Sequence, residues 1–282
     1  MEMTIAYQGE PGSFSEQAAR KFFNTQAVLK PLPAFSDVFA DTDRHPSGFG
    51  IVPIENSLFG SIHQVYDLLL KHKLFIIGEV KLRIELHLMA LPNTKQKNVR
   101  TIYSQLQAIG QCEKFLGTFK NIKVEAVHDT AAAARFIQER KRHDTAAIAS
   151  AQAARVHGLH ILKRNVESNH RNFTRFIALS RKPDRPVGRV KTSLVFAVKD
   201  IPGALFKALA VFALRDINLL KVESRPIIGK PWEYLFYLDV DGMPNRDPLR
   251  QALNHLKEVC SLVRVLGSYR PYDDFNQSRN RK

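Results

Sequence analysis

The chain has 282 residues, of which 44% are hydrophobic and 24% charged, a composition typical of globular proteins and a length sufficient for about two domains. Its net charge is +15, but the basic residues are scattered and no aromatic residues interleave with them, which favours a solvated surface over nucleic-acid binding. No apolar run approaches the ~18 residues of a membrane span. With two widely spaced cysteines and no visible secretory signal, we expect a cytoplasmic protein with inert thiols.

Short apolar runs alternate with helical patterns over the first 180 residues, which predicts an α/β fold. Strands are predicted at 4–7, 49–53, 74–80, 84–90, 99–103, 122–127, 146–149 and 173–179. Helices are predicted at 13–23, 62–71, 105–116, 130–140 and 150–157.

The composition changes at residues 181–190, which hold two prolines and a glycine with little that is apolar, so we interpret them as a linker. Residues 191–270 then show the order βαββαβ, the ferredoxin-like pattern of an α+β domain. Its strands are predicted at 192–198, 218–224, 233–240 and 262–267, and its helices at 203–215 and 248–258. A domain this small favours pairing with a second copy. Residues 271–282 are predicted to be a polar tail, disordered from 273 onwards.

The first candidate site segment, Gly9–Ser15, follows a strand and opens a helix. Free backbone N–H groups at a helix start bind anions, and Ser13 or Ser15 can add a hydroxyl. Alternatively, Ser13 caps the helix, with Glu16 closing a capping box. The residues alone leave both interpretations open.

The second segment places Glu55, Asn56 and Ser57 directly behind an apolar strand. Ligands of α/β sheets bind at the carboxyl ends of strands, which modestly favours a functional role over turn and capping chemistry.

The third segment begins a strand with Thr174 and Arg175. A guanidinium group binds carboxylates through two parallel hydrogen bonds. The simpler alternatives are a surface ion pair for Arg175 and an ordinary strand residue for Thr174.

The fourth segment, Gly203-Ala204-Leu205, offers free N–H groups at a helix start, although Gly203 also suits simple helix punctuation. The ten histidines show no spacing with carboxylates or cysteines that would complete a metal site, so none is predicted.

These segments, in this order, resemble the prephenate dehydratase family over residues 4 to 270. Residues 53–57 match its Pro-Ile-Glu-Asn-Ser signature and residues 172–176 its Asn-x-Thr-Arg-Phe signature, while 9–15, 129–131 and 146–150 also fit. Residues 203–205 and 223–226 resemble the phenylalanine-binding motifs of the family's ACT domain. One departure is Ser104-Gln105-Leu106-Gln107-Ala108, where the family often has Ser-His-Pro-Gln-Ala, so no catalytic histidine is assigned there.

The resemblance implies a two-lobed catalytic domain over 1–180 that is similar to type II periplasmic binding proteins, followed by the ACT domain. One lobe would hold about 1–80 and 165–180, and the other about 81–164. The few residues before Thr4 leave no room for a fused chorismate mutase domain.

The activity that the resemblance implies is the decarboxylating dehydration of prephenate to phenylpyruvate in L-phenylalanine biosynthesis, without a cofactor or metal. The catalytic residues implied are Thr174, Glu55, Asn56 and Ser57. The substrate-binding residues implied are Ser13, Ser15, Asn172, Arg175 and Phe176.

Feedback inhibition by L-phenylalanine is implied as well, with the ligand bound between ACT domains of a dimer or tetramer. The residues implied for that site are Gly203, Ala204, Leu205, Asn218, Glu223 and Ser224. Two alternatives stay open: an arogenate dehydratase, and a non-catalytic amino-acid sensor.

Overall fold

The first sheet has the strand order β2-β1-β3-β11-β5, with β4 paired to β3. The computed structural model describes residues 3–23, 27–227 and 229–272. The strands of this sheet are β1 (Thr4–Gln8), β2 (Val28–Leu32), β3 (Phe49–Asn56), β4 (Gly60–Ser61), β5 (Phe75–Arg83) and β11 (Phe173–Ser180). Its helices are α1 (Phe14–Phe23), α2 (Phe35–Arg44) and α3 (His63–Lys71).

The second sheet has the order β10-β6-β9-β7-β8. Its strands are β6 (His87–Ala90), β7 (Thr101–Gln105), β8 (Lys123–Val127), β9 (Thr145–Ala149) and β10 (His160–Lys163). The associated helices are α4 (Leu106–Gln111), α5 (Glu113–Leu116), α6 (Thr130–Arg140) and α7 (Ala151–Val156), with a short 3-10 helix at Gln96–Asn98.

Strand β9 lies at the centre of the second sheet and is buried along its whole length. Ala146 and Ile148 pack into one core, while Ala147 and Ala149 pack into another on the opposite face, against the alanine-rich side of α6. Small residues allow this close packing of helix on sheet. Because both of its faces are covered, the sheet is a buried central layer, as is typical of α/β folds.

The third sheet is antiparallel, with the order β13-β14-β12-β15. Its elements are β12 (Lys191–Ala197), α8 (Ala204–Ala213), β13 (Leu219–Ile227), β14 (Lys230–Asp241), α9 (Leu249–Val259) and β15 (Leu262–Tyr269). The predicted βαββαβ order is therefore confirmed. Residues 181–190, predicted as a linker, contain no helix or strand. Of the predicted tail, residues 273–282 lie outside the described residues.

Several predicted elements were wrong in detail. The sequence patterns did not predict β2, α2 or β10. For β2 the reason is Pro31, together with a burial pattern that does not alternate. The helix predicted at 105–116 is interrupted at Cys112, whose ψ of 15° is not helical, so it becomes α4 and α5. The strand predicted at 84–90 begins only at His87. The preceding strand, β5, continues to Arg83, beyond the predicted end at residue 80.

The described residues form two compact units. One comprises those within Met1–Val65 and Val80–Phe176, and the other those within Tyr66–Glu79 and Ile177–Lys282. The boundaries predicted at 180 and 190 stay predictions. None of the described helices has the length and apolar character that crossing a membrane requires.

Both cysteines are free. Burial raises the pKa of the Cys112 thiol to about 12 and that of Cys260 to about 11. A thiol reacts as the thiolate, so a raised pKa lowers its reactivity at neutral pH; that both thiols are inert stays a prediction.

A buried charge network occupies the second unit. The Lys191 ammonium pairs with the carboxylate of Glu79 and lies 3.6 Å from that of Asp239. Asp239 also accepts a hydrogen bond from Ser193, whose hydroxyl lies 2.7 Å from the Tyr269 hydroxyl. All five side chains are buried. Removing one charged partner from such a network weakens the compensation of the charges that stay buried.

We expect Glu79→Gln to lower the free energy of unfolding by about 3 kcal/mol, because the Lys191 ammonium loses its closest counter-charge in a buried site. Urea unfolding followed by circular dichroism measures this change. The control is Glu125→Gln, which breaks an exposed pair with Lys123 and should leave unfolding nearly unchanged. Equal effects of the two variants would contradict the prediction.

Candidate active site

A cavity of about 390 Å³ lies in the first unit between two lobes. The first lobe is built on the strands of the first sheet that belong to this unit, and the second lobe is built on the second sheet. Loops at the ends of strands from both sheets contribute to its wall. Its lining residues are Gln8, Gly9, Ser13, Phe14, Ser15, Phe35, Pro53, Asn56, Phe59, Gly60, Ser61, Ile62, Ile84, Leu86, Gln105, Gln107, Ala108, Gln111, Asp129, Thr130, Thr174 and Phe176. Of the predicted site residues, the lining brings together Ser13, Ser15, Asn56, Thr174 and Phe176.

The Gly9–Ser15 segment turns from β1 into α1 through two glycines with positive φ, Gly9 at 103° and Gly12 at 92°. The Ser13 hydroxyl accepts a hydrogen bond from the Glu16 N–H at 3.3 Å, and the Glu16 carboxylate accepts one from the Gly12 N–H. Ser13 is thus a helix cap and also lines the cavity. The two interpretations left open by the sequence are compatible.

The second lobe holds this turn in place. The guanidinium of Arg135 on α6 donates two hydrogen bonds to the carboxylate of Glu10, at 2.7 and 2.9 Å. The Ser150 hydroxyl, which caps α7, donates to the Gly12 carbonyl at 2.7 Å. A Cβ on Gly12 would lie 2.6 Å from the Ala153 Cα, so only glycine permits this approach.

The amide side chain of Asn56 links several polar groups at the cavity. Its Nδ2 donates to the Asn172 Oδ1 at 2.8 Å and to the Thr174 Oγ1 at 2.9 Å. Its Oδ1 accepts from the N–H groups of Leu58 and Phe59, at 2.9 and 3.2 Å. Because the Thr174 oxygen is an acceptor in this bond, its own hydroxyl proton is available for another partner.

Ser57 lies outside the lining and ties β3 to the start of β11. Its N–H donates to the Phe173 carbonyl, and its hydroxyl donates to the Arg171 carbonyl while accepting from the Phe173 N–H. These bonds fix where Thr174 enters the cavity. The catalytic role predicted for Ser57 stays a prediction.

Glu55 and Arg175 also lie outside the lining and form an ion pair, with Arg175 Nε 2.7 Å from Glu55 Oε1. The Arg175 side chain is 7% exposed and that of Glu55 31%. The guanidinium is therefore held by a carboxylate of its own lobe. Its predicted contact with a substrate carboxylate, and the catalytic role of Glu55, stay predictions, as does substrate binding by the fully buried Asn172.

Sequence reasoning did not assign the second-lobe wall of the cavity. It is formed by three glutamines, 105, 107 and 111, together with Asp129 and Thr130. Gln105 is the last residue of β7, and Asp129 follows β8, the strand that pairs in parallel with β7. Strand ends of this kind are ligand positions, and that signal could have identified them.

In the second unit, a smaller cavity of about 240 Å³ lies at the start of α8. Its lining includes three predicted ligand-binding residues, Gly203, Ala204 and Leu205. Gly203 has φ of 77° and caps the helix. Asn218, Glu223 and Ser224 are not in this lining; the latter two lie on β13 and Asn218 directly precedes it.

Among the described residues, no group of three or more histidine, cysteine, aspartate or glutamate side chains could hold a metal ion. The expected absence of a metal remains a prediction.

The family model described as "Prephenate dehydratase" matches residues 5–184. The chain belongs to the prephenate dehydratase family. A second model, the ACT domain, matches residues 192–260. The recognition of the family from its motifs is thus confirmed, and the chain is an enzyme of the hydro-lyase class.

Similar proteins agree with this assignment. The chain is 44% identical over 277 residues to arogenate dehydratase/prephenate dehydratase 2, chloroplastic, of Arabidopsis thaliana, covering 94% of this chain and 72% of the relative. A solved prephenate dehydratase in complex with L-Phe from Arthrobacter aurescens is 28% identical, with a TM-score of 0.86, covering 98% of this chain and 96% of the other. Another structure, described as GqqA, a novel type of quorum quenching acylase, is 33% identical with a TM-score of 0.87, covering 97% and 99%. The predicted fold class, a two-lobed catalytic domain with a ferredoxin-like ACT domain, is confirmed.

For this member of the prephenate dehydratase family we expect Asn56→Asp to lower turnover of prephenate about 10²- to 10⁴-fold. A carboxylate cannot donate to the Thr174 oxygen and would instead accept the hydroxyl proton. Steady-state kinetics measures the loss, and the thermal midpoint checks that the fold is kept.

The matched control is Asn98→Asp, the same change at an exposed position of the 3-10 helix. Wild-type turnover in Asn56→Asp would show that the orientation of the Thr174 hydroxyl is unimportant.

Proposed function

We propose that the chain catalyses the decarboxylating dehydration of prephenate to phenylpyruvate, a step of L-phenylalanine biosynthesis. The observation that carries this proposal is the Thr174 hydroxyl at the cavity, oriented by the Asn56 amide at 2.9 Å. The oxygen of Thr174 accepts from that amide and its proton can be donated to the substrate.

The reaction requires little covalent chemistry from the protein. The bond between the ring and its carboxylate breaks, carbon dioxide leaves, and the electron pair enters the ring. The ring C–O bond then breaks, and the departing hydroxide takes up one proton and becomes water. Aromatisation supplies the driving force, so the protein must hold the substrate and assist the oxygen that leaves.

Thr174 supports the departure of hydroxide by donating a hydrogen bond to the ring oxygen. A threonine hydroxyl is a weak acid, so its contribution is stabilisation of developing negative charge at a fixed position. The bond it accepts from Asn56 strengthens its own donation, since linked hydrogen bonds polarise each other. Asn56 is a positioning residue in this scheme.

The walls of the cavity suit a dicarboxylate with an apolar ring. Backbone N–H groups at the start of α1, with the hydroxyls of Ser13 and Ser15, provide donors for one carboxylate. The second-lobe glutamines add neutral amide donors. An apolar lining removes water from the carboxylate that is lost, which favours its departure as neutral carbon dioxide. That lining consists of Phe14, Phe35, Ile84, Leu86 and Phe176.

We retain Arg175 as a candidate anchor for a substrate carboxylate, acting together with Glu55. Its pairing with Glu55 supports a role in which one carboxylate orients the guanidinium toward a second. Ser57 and Asn172 support the same site by fixing the start of β11.

An amide-hydrolysing function is not proposed, although one similar structure is described as an acylase. A serine or threonine nucleophile requires a base in hydrogen-bond reach. Among the described lining residues there is no histidine or lysine, and Thr174 accepts a hydrogen bond from the amide of Asn56. A non-catalytic sensor is disfavoured by the donor held at the cavity, and any turnover excludes it.

We expect Thr174→Ala to cut turnover of prephenate about 10²- to 10⁴-fold without unfolding the chain, because the donor to the leaving hydroxide is lost. Thr174→Ser keeps a hydroxyl and should retain much more activity. Formation of phenylpyruvate by the purified chain is the assay. If the alanine and serine variants behave alike, the hydroxyl has no part in the reaction and the proposal fails.

Regulation is the second part of the proposed function. We infer that L-phenylalanine binds at the ACT domains and inhibits the enzyme. Support comes from the match to the ACT family, from the solved relative described with L-Phe, and from the cavity at the start of α8. Inhibition requires tighter binding to the less active state.

A second copy of the chain completes this site in our proposal. Asn218, Glu223 and Ser224 are not in the lining of the cavity at Gly203, so one copy does not bring all six predicted residues into one cavity. Strand β13 has an exposed face, with Leu220 39% and Val222 49% exposed, which suits pairing of sheets in a dimer or tetramer. We place the assembled enzyme in the cytoplasm.

We expect Gly203→Val to abolish inhibition by phenylalanine while turnover of prephenate is kept. A branched side chain is strained at the φ of 77°, so the helix start would shift, although the space around Gly203 is open. Inhibition curves measure the effect.

The matched control is Gly188→Val in the linker segment, which also has positive φ and open space. It should keep the wild-type response. Unchanged potency of phenylalanine in Gly203→Val would place the inhibitor at the catalytic cavity instead.

A further inference from the structure

One aromatic side chain of the catalytic cavity is largely exposed to water. Phe59 lines the cavity and is 52% exposed. The other phenylalanines of the lining, at 14, 35 and 176, are partly or fully buried. Among the described residues, the ring of Phe59 makes no contact with another aromatic ring. Apolar surface in water is unfavourable, so a ligand that covers Phe59 gains binding free energy.

The loop that carries Phe59 is short and stands in solvent. Asn56 and Gly60 pair across β3 and β4, and residues 57–59 join them. Gly60 has φ of 77°, and a Cβ there would have no neighbour within 4 Å. The loop is anchored by the Asn56 Oδ1, which accepts from the N–H groups of Leu58 and Phe59. The backbone of the loop is therefore held, while the exposed ring of Phe59 can change rotamer rapidly.

The amide that anchors this loop also orients the hydroxyl that assists the reaction. Asn56 Nδ2 donates to Thr174 Oγ1 at 2.9 Å, and its Oδ1 accepts from the Phe59 N–H at 3.2 Å. The donor to the leaving oxygen and the exposed ring therefore belong to one hydrogen-bonded group. A substrate ring held by Thr174 lies in the cavity that Phe59 borders.

The chemistry of the reaction suits an aromatic group over the substrate. The ring of prephenate becomes aromatic as carbon dioxide and hydroxide leave, and aromatic rings favour offset-stacked or edge-to-face contacts. Such a contact strengthens while the substrate ring becomes aromatic, so it stabilises the transition state more than the ground state. An apolar ring over the cavity also keeps water from the carboxylate that is lost.

We propose that Phe59 is a catalytic residue whose ring covers the ring of the substrate in the occupied cavity. This inference rests on the proposed function. The surface of Phe59 that is exposed in the empty cavity becomes buried on the substrate. Because the contact is made with the ring that reacts, its loss lowers kcat as well as raising KM.

Variants of Phe59 test this contact by steady-state kinetics of the full chain with prephenate. We expect Phe59→Ala to lower kcat/KM on the order of 10-fold, with part of the loss in kcat, because an aromatic contact and its buried surface are lost. Phe59→Tyr keeps the aromatic ring and should retain most of the activity. A tyrosine variant as impaired as the alanine variant would contradict a role for the ring.

The matched control is Leu58→Ala in the same loop. Leu58 is 40% exposed and does not line the cavity, and the variant keeps the backbone N–H that Asn56 holds. Its kinetics should stay at the wild-type values. Equal losses in the two alanine variants would show that the loop matters and not the ring of Phe59, which would overturn the inference.

A fluorescent side chain tests the cover without turnover. We expect phenylpyruvate, the product, to protect the Phe59→Trp variant from quenching by acrylamide, because the indole leaves water when the cavity is filled. The Leu58→Trp variant should show no such protection. The wild-type chain contains one tryptophan, whose signal is measured separately and subtracted.

The outcomes separate this inference from the proposed function. A wild-type chain that turns over prephenate, with unchanged kinetics in Phe59→Ala, would overturn the inference and leave the proposed function intact. Absence of protection in Phe59→Trp, at concentrations of phenylpyruvate that inhibit turnover competitively, would do the same. A wild-type chain without turnover of prephenate would overturn the proposed function and this inference with it.

Discussion

One amide side chain determines the geometry of the catalytic cavity. Asn56 uses its Nδ2 to hold Asn172 and Thr174, and its Oδ1 to hold the backbone that follows. The ends of β3 and β11 are distant in sequence, so their alignment depends on such side-chain bonds as well as on the strand ladder. An amide can serve both sides because it is donor and acceptor at once, which neither a carboxylate nor an ammonium group can match.

The local motifs of this chain could be predicted from the sequence because each consists of consecutive residues with recognisable chemistry. A polar residue at a strand terminus indicates a site, as Asn56 does at the end of β3 and Thr174 near the start of β11. The second-lobe wall of the cavity was not predicted, because in the local sequence Gln105 resembles the start of a helix and Asp129 a helix cap. Only the parallel pairing of β7 with β8 brings them to one edge, and pairing of strands is not visible in either segment alone.

The missed elements have equally physical reasons. Strand β2 carries Pro31, and its position at the edge of the sheet is where proline is tolerated, although in the sequence a proline indicates a strand breaker. The interruption at Cys112 results from tertiary packing, since the buried thiol belongs to the core of the second lobe. The pairing of Arg175 with Glu55 was likewise hidden, because two signature motifs that are far apart in sequence meet only in the folded sheet.

The division of the chain into units has a consequence for how such enzymes can be recombined. Residues within Tyr66–Glu79 belong to the same unit as the ACT domain, where Asp67 binds Arg225 and the carbonyls of Leu70 and His72 accept from Arg264. If the regulatory domain were exchanged between relatives at the linker, it would therefore lack the helix and strand residues that it contacts in its parent enzyme. Productive chimaeras must carry two separate stretches of the parent gene, so regulation and catalysis in this architecture are inherited together.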